Sequence, residues 1–179
     1  MQTTKKVFYS LHSLNRMKNI LPTEVKRILV QSLIMPILDY ADVVYKSCSE
    51  SHSKRLQYAH NSCVRFIFNL KKRDHITPVL KQIGWLKLKE RRALHSLLLL
   101  YKILRNKVPK YLYENFSVLR SERNGQTLTI PSHRTSLYGS TFMISACREW
   151  NLLSSSIRNR DSLKRFKNEI KKCWLEAYQ

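Results

Sequence analysis

Leu88-Lys89-Glu90-Arg91-Arg92-Ala93-Leu94-His95-Ser96-Leu97-Leu98-Leu99-Leu100-Tyr101-Lys102-Ile103-Leu104-Arg105-Asn106 decides the fold class. Leu94, Leu97, Leu98, Tyr101 and Leu104 recur at helical spacing, and Leu99, Leu100 and Ile103 carry the apolar surface nearly all the way round. A helix apolar on every side is buried in the middle of its domain. Its first turns differ: Lys89, Arg91 and Arg92 require that the helix begin in solvent or on a partner.

Upstream, Thr77-Pro78 marks the start of a short helix and Gly84 its stop. Proline suits a first turn and glycine the left-handed residue after the last one. Leu56, Ala59, Cys63, Phe66, Ile67 and Leu70 mark a longer helix, closed by Lys71-Lys72-Arg73-Asp74 where the helix dipole is negative. Thr4 to Asn19 is expected to be helical, with Val7, Leu11, Leu14 and Met17 on one side. A helix from Pro22, with Glu24 near its positive end, would bury Val25, Ile28, Leu29, Leu33 and Ile34. Pro36 should end or kink it, for want of an N–H. A short helical or extended piece, Ile37 to Tyr45, and a polar link, Ser47 to Ser53, follow.

Downstream, Pro109 opens a short helical turn reaching Phe116. The next stretch is the least regular, with Asn124-Gly125 as a turn signal and Leu128-Thr129-Ile130 as a candidate strand. Phe142 to Leu153 is expected to be helical. Ser162 should cap a last helix with Leu163, Phe166, Ile170, Cys173, Trp174 and Ala177 on one face. Only 3 Gly and 5 Pro stand against an all-β fold with its many tight turns.

Charge narrows the function. The chain holds 33 Lys and Arg against 12 Asp and Glu, a net +21. Residues 51–110 carry 15 basic and 2 acidic groups, residues 1–50 carry 7 and 4, and residues 111–179 carry 11 and 6. Such a field attracts polyanions, and self-repulsion loosens a compact fold unless a partner neutralises it. The middle segment is the candidate for phosphate contact. The cysteines at 48, 63, 147 and 173 form no Cys-x-x-Cys pair, and no second ligand pair completes His60 and Cys63 into a zinc site. They suit small buried apolar positions in a reducing compartment. No apolar run approaches the roughly 18 residues of a membrane span.

Two stretches carry a family resemblance. Trp85-Leu86-Lys87-Leu88-Lys89-Glu90-Arg91-Arg92 runs on to Tyr101-Lys102-Ile103-Leu104 and Pro109-x-Tyr111-Leu112, and Trp150-Asn151 precedes Ile157-Arg158, Ser162 and Phe166-Lys167. Together they resemble the C-terminal, post-polymerase part of reverse transcriptases from non-LTR, LINE- or jockey-like retrotransposons. Leu33-Ile34-Met35-Pro36-Ile37-Leu38-Asp39-Tyr40 with Val43-Val44, then Leu56-Gln57, Asn61 and Arg65-Phe66-Ile67, is similar to the thumb region of those enzymes. Tyr45 stands where Trp is usual, Lys87 replaces a proline, and so does Ser154.

The resemblance implies an all-α fold: a thumb-like helical bundle over 1–70, then a basic helical region over 71–179 with one irregular segment at about 117–140. The family's activity is RNA-templated DNA synthesis with Mg²⁺ held by palm carboxylates, and the upstream palm and fingers of the parent polyprotein are implied partners. The implied location is intracellular, nuclear and cytoplasmic. The family's signature is Tyr-Ala-Asp-Asp on a hairpin, whereas this chain reads Tyr40-Ala41-Asp42-Val43, without the second carboxylate. The expectation is therefore a non-catalytic fragment with no metal ligands, no cofactor and no small-molecule substrate. It would hold RNA or DNA through phosphates. Arg65, Lys71, Lys72, Arg73, Lys89, Arg91 and Arg92 are the candidate contacts, about half of them expected to face the ligand. Trp85, Trp150 and Trp174 are candidate stacking groups, though large aromatics at helical spacing more often fill the core. The alternative is a domesticated helical domain whose apolar faces bind a protein.

Overall fold

A computed structural model of the chain describes residues 2–121 and 125–178. Among the described residues the fold is all-α apart from one two-stranded hairpin. The described residues pack as two units. The first takes in residues up to Asp42, Cys48–Lys89 and Tyr178, and the second Val43–Ser47 and Glu90–Ala177. The division expected after residue 70 does not coincide with this packing, because 71–89 belong with the first unit.

In the first unit, α1 (Gln2–Asn15) buries Val7, Leu11 and Leu14, as their spacing requires. Residues 16–20 then leave the helix in turns, so Met17 swings off that face and is 44% exposed. Pro22 is the N-cap of α2 (Thr23–Leu29), one place earlier than its sequence position suggested. α2 runs through a π-helical turn, Val30–Ile34, into α3 (Met35–Asp39). Pro36 therefore does not end the helix: the widened turn ahead of it accommodates the missing N–H and the ring.

The buried stripe of this segment differs from the expected one. Lys26, Val30 and Ile34 are inside, whereas Val25, Ile28 and Leu33 are 38%, 57% and 52% exposed. Lys26 is the reason. Its Nζ donates to Asn69 Oδ1 at 3.0 Å and lies 5.7 Å from the centre of the Phe66 ring. Asn69, at φ 54, closes α4 (Glu50–Phe68) in the left-handed conformation. The ammonium thus sits at the negative end of α4, and its stem replaces an apolar side chain.

α4 buries Ala59, His60, Cys63, Val64, Phe66 and Ile67. It ends at Phe68, so Lys71-Lys72-Arg73 follow the helix in a turn instead of forming its last turn. α5 (Thr77–Ile83) carries Pro78 in its first turn and stops at Gly84, φ 65, as the sequence required. The chain then packs Trp85 beside His60, ring centres 5.8 Å apart. Gln57 Oε1 accepts the N–H of Leu88 at 2.8 Å, which fixes the start of α6 (Leu88–Asn106) from α4. Tyr178 accepts the Lys87 N–H on its hydroxyl at 2.7 Å.

In the second unit, α6 buries Leu94, Leu97, Leu100, Tyr101 and Ile103. The Tyr101 and Trp150 rings close on Phe166 of α11 (Leu163–Glu176), at 4.6 and 5.7 Å. α11 buries Phe166 and Ile170 alone; Cys173 and Ala177, expected on that face, are exposed. Short helices α7 (Lys110–Tyr113), α8 (Ser136–Gly139) and α10 (Ser155–Arg158) join the longer α9 (Phe142–Leu152). A Lys46–Glu149 ion pair holds the 3₁₀ turn Val44–Ser47 in this unit.

The irregular segment contains an antiparallel hairpin, β1 (Val118–Ser121) and β2 (Gly125–Leu128), with Val118 opposite Leu128. The second strand stops at Leu128 and does not run to Ile130, although the Thr129 N–H still donates to the Ser117 carbonyl at 2.9 Å. Asn151 Oδ1 accepts the Leu128 N–H and its Nδ2 donates to the Leu128 carbonyl, both at 2.8 Å. Asn124, half of the expected turn signal, lies outside the described residues.

Candidate nucleic-acid interface

The seven candidate cations divide by burial. Lys71, Lys72, Arg73 and Lys89 are exposed, Arg65 and Arg91 are half-buried, and Arg92 is 5% exposed. Arg92 is thus a buried side chain. The sequence placed it at the surface because charge normally goes there; here the guanidinium goes inside the fold.

Arg65 has a structural task. Its Nε donates to the Lys71 carbonyl at 3.3 Å and its Nη2 to the Lys72 carbonyl at 3.2 Å. Asp74 Oδ2 accepts the Lys71 N–H at 2.7 Å, and the Asp74 N–H returns to the Lys71 carbonyl at 3.2 Å. The turn's backbone is thereby tied from both sides while the three cationic side chains stay outside. Among the described residues no carboxylate forms an ion pair with Lys71, Lys72 or Arg73. Lys89, on the first turn of α6, is joined to that corner by no hydrogen bond or ion pair among the described residues.

In the second unit the structure adds residues that the candidate set lacked. Lys171 of α11 lies half-buried, and its ammonium is held below the usual lysine range, first by burial and then by repulsion from Lys167 and Arg91. Three cations thus share one neighbourhood across α6 and α11. The available signal was the i, i+4 spacing of Lys167 and Lys171, which places them on one side of a helix. Arg158 and Arg160, by contrast, are occupied internally. Arg158 donates to the Gln126 carbonyl at 3.0 Å, and burial lowers its pKa. Arg160 pairs with Glu169 at 2.8 Å.

The tryptophans do not offer free faces. Trp85 and Trp150 are buried and Trp174 is half-buried. Trp150 donates from Nε1 to the Gln126 carbonyl at 3.3 Å, and next to it Asn151 holds Leu128. The Trp-Asn pair is a clasp for the hairpin. The exposed aromatics are others, including Phe8, Tyr9 and Tyr58 at 44%, 76% and 65%.

Two further groups resolve as structure. Tyr40-Ala41-Asp42 lies in a turn after α3, with Ala41 at φ 50 and Val43 following, so it does not fit a hairpin carrying paired metal-binding carboxylates. Cys63 and Cys147 are buried, which pushes their thiols up to about 12 and about 11. Thiols so protonated are poor nucleophiles and poor metal ligands. No helix among the described residues is long and apolar enough to cross a membrane. In comparison with known proteins, no family model, no curated protein and no solved structure matches this chain.

Proposed function

We propose that this chain holds RNA or DNA by the phosphate backbone, as the C-terminal region of a non-LTR retrotransposon reverse transcriptase would, without joining nucleotides. The observation that supports it best is the turn at Lys71-Lys72-Arg73. Its backbone is tied by Arg65 and Asp74, and its three side chains are exposed with no carboxylate partner among the described residues. Adjacent cations repel, and a phosphate strand relieves that repulsion while releasing its own counterions. The proposed contacts are Lys71, Lys72, Arg73 and Lys89 in the first unit and Arg91, Lys167 and Lys171 in the second. Phosphate contacts carry no sequence information. The chain should therefore bind two unrelated duplexes of equal length with equal affinity and should not extend a primer on a primed RNA template. Strong preference for one duplex, or primer extension, would contradict the reading.

A second reading has its own observation. Met17, Ile20, Val25, Ile28 and Leu33 are exposed in the first unit, and an apolar surface of that kind suits a protein partner. Such a complex responds weakly to salt, whereas a phosphate clamp responds steeply.

A further inference from the structure

A cleft of about 530 Å³ opens between α1 and α4 in the first unit. Its walls are aromatic: Phe8 from α1 and Tyr58 from α4, both with much of their surface in water. Lys5, His52 and Arg55 are the basic groups that line it, and its lining residues include no carboxylate. The His52 ring is held by Ser49 Oγ against Nδ1 at 2.5 Å. Exposed rings in a solvent-open groove gain little by facing water, and a cationic rim disfavours a basic or apolar peptide edge. A flat π-face beside cations matches one kind of ligand, a nucleobase with its phosphate.

A second cleft of about 410 Å³ shares Lys5 and is walled by Tyr9 and Ile37, with Lys6 at its edge. The helix spacing explains the arrangement. Phe8 and Tyr9 are successive residues and diverge by about 100° around α1, and Lys5 lies one turn before them. A strand crossing α1 would therefore meet an aromatic face on each side of a single cation.

We propose that the α1–α4 cleft takes an unpaired base of single-stranded nucleic acid between Phe8 and Tyr58, with the adjoining phosphate on Lys5 and Arg55. This rests on the reading of the chain as a nucleic-acid binder and adds a single-strand contact that phosphate binding alone does not give. No candidate contact identified from the sequence takes part in it.

The test compares two labelled strands of equal length and charge, oligo(dA) and an abasic strand of sugar-phosphate units, binding to the full chain. Stacking of one base corresponds to about tenfold in affinity, so the wild type should prefer oligo(dA) by about that factor. Phe8→Ala with Tyr58→Ala should abolish the preference and leave abasic binding unchanged. Phe8→Leu, which keeps apolar bulk and removes the ring, should lower the preference without disturbing α1. Lys5→Ala with Arg55→Ala should weaken both strands. Equal wild-type binding of the two strands overturns the cleft and leaves the phosphate reading intact. So does a double variant that is folded by circular dichroism and still prefers oligo(dA). If neither strand binds in dilute buffer, both readings fall.

Discussion

Replacing Lys71, Lys72 and Arg73 together by alanine probes the interface with the least risk to the fold. The turn is held by Arg65 on two carbonyls and by Asp74 on a backbone N–H, and none of these bonds uses the replaced side chains. All three side chains are exposed, so stability should stay within about 0.5 kcal/mol of wild type. Each phosphate neutralised on duplex DNA contributes roughly 0.9 to the slope of log affinity against log salt, so losing three contacts should flatten the slope by about 2.7. Over a fourfold rise in salt, the wild type should then lose about 40-fold more affinity than the variant. On single strands the flattening should be near 2.1, because each contact releases fewer counterions. Fluorescence anisotropy at five or six salt concentrations reads the slope directly. A folded variant with the wild-type slope would refute the assignment of this turn to phosphate.

Other consequences follow from single side chains. Asn151→Ala unpairs both backbone groups of buried Leu128 and should cost about 2–3 kcal/mol in urea unfolding. Lys26→Ala leaves a void where a fully buried stem lay and strips Asn69 of its donor; about 2–4 kcal/mol is expected by the same assay. Arg91→Ala should weaken nucleic-acid binding, whereas Arg92→Ala should lower the unfolding midpoint, because Arg92 is buried. A thiol reagent at pH 8 should label exposed Cys173 and spare Cys63 and Cys147, whose thiols sit at about 12 and about 11. Since these thiols keep their protons in the folded state after the unfolded chain has released its own, stability should fall as pH rises from about 9.

The helices were legible where one rule acted alone. α6 begins and ends where its apolar periodicity does, and α5 is bracketed by Pro78 and Gly84. The reading failed where a polar group took an apolar group's place. Periodicity cannot place Lys26 inside, because the reason is the end of another helix, Asn69, 43 residues away. Arg92 misled in the same direction: a surface residue by type, an interior one by position. The hairpin was half visible, since its second strand lies earlier than Leu128-Thr129-Ile130 and is tied at Leu128 by the Asn151 side chain, 23 residues away.

The candidate site was read unevenly for a related reason. Runs of cations show in sequence, so Lys71-Lys72-Arg73 was found. A convergence of separate helices does not show, so Lys171 with Lys167 and Arg91 appeared only once α6 and α11 were packed. The motif residues Gln57, Trp85, Trp150 and Asn151 turned out to tie elements together.

The central claim is that the chain clasps a polyanion by charge, and a salt titration of the wild-type protein on a mixed-sequence duplex tests it most directly. Log affinity should fall linearly with log salt, with a slope of several units that is the same for an unrelated duplex. Absence of binding at low salt, or binding indifferent to salt, would contradict it.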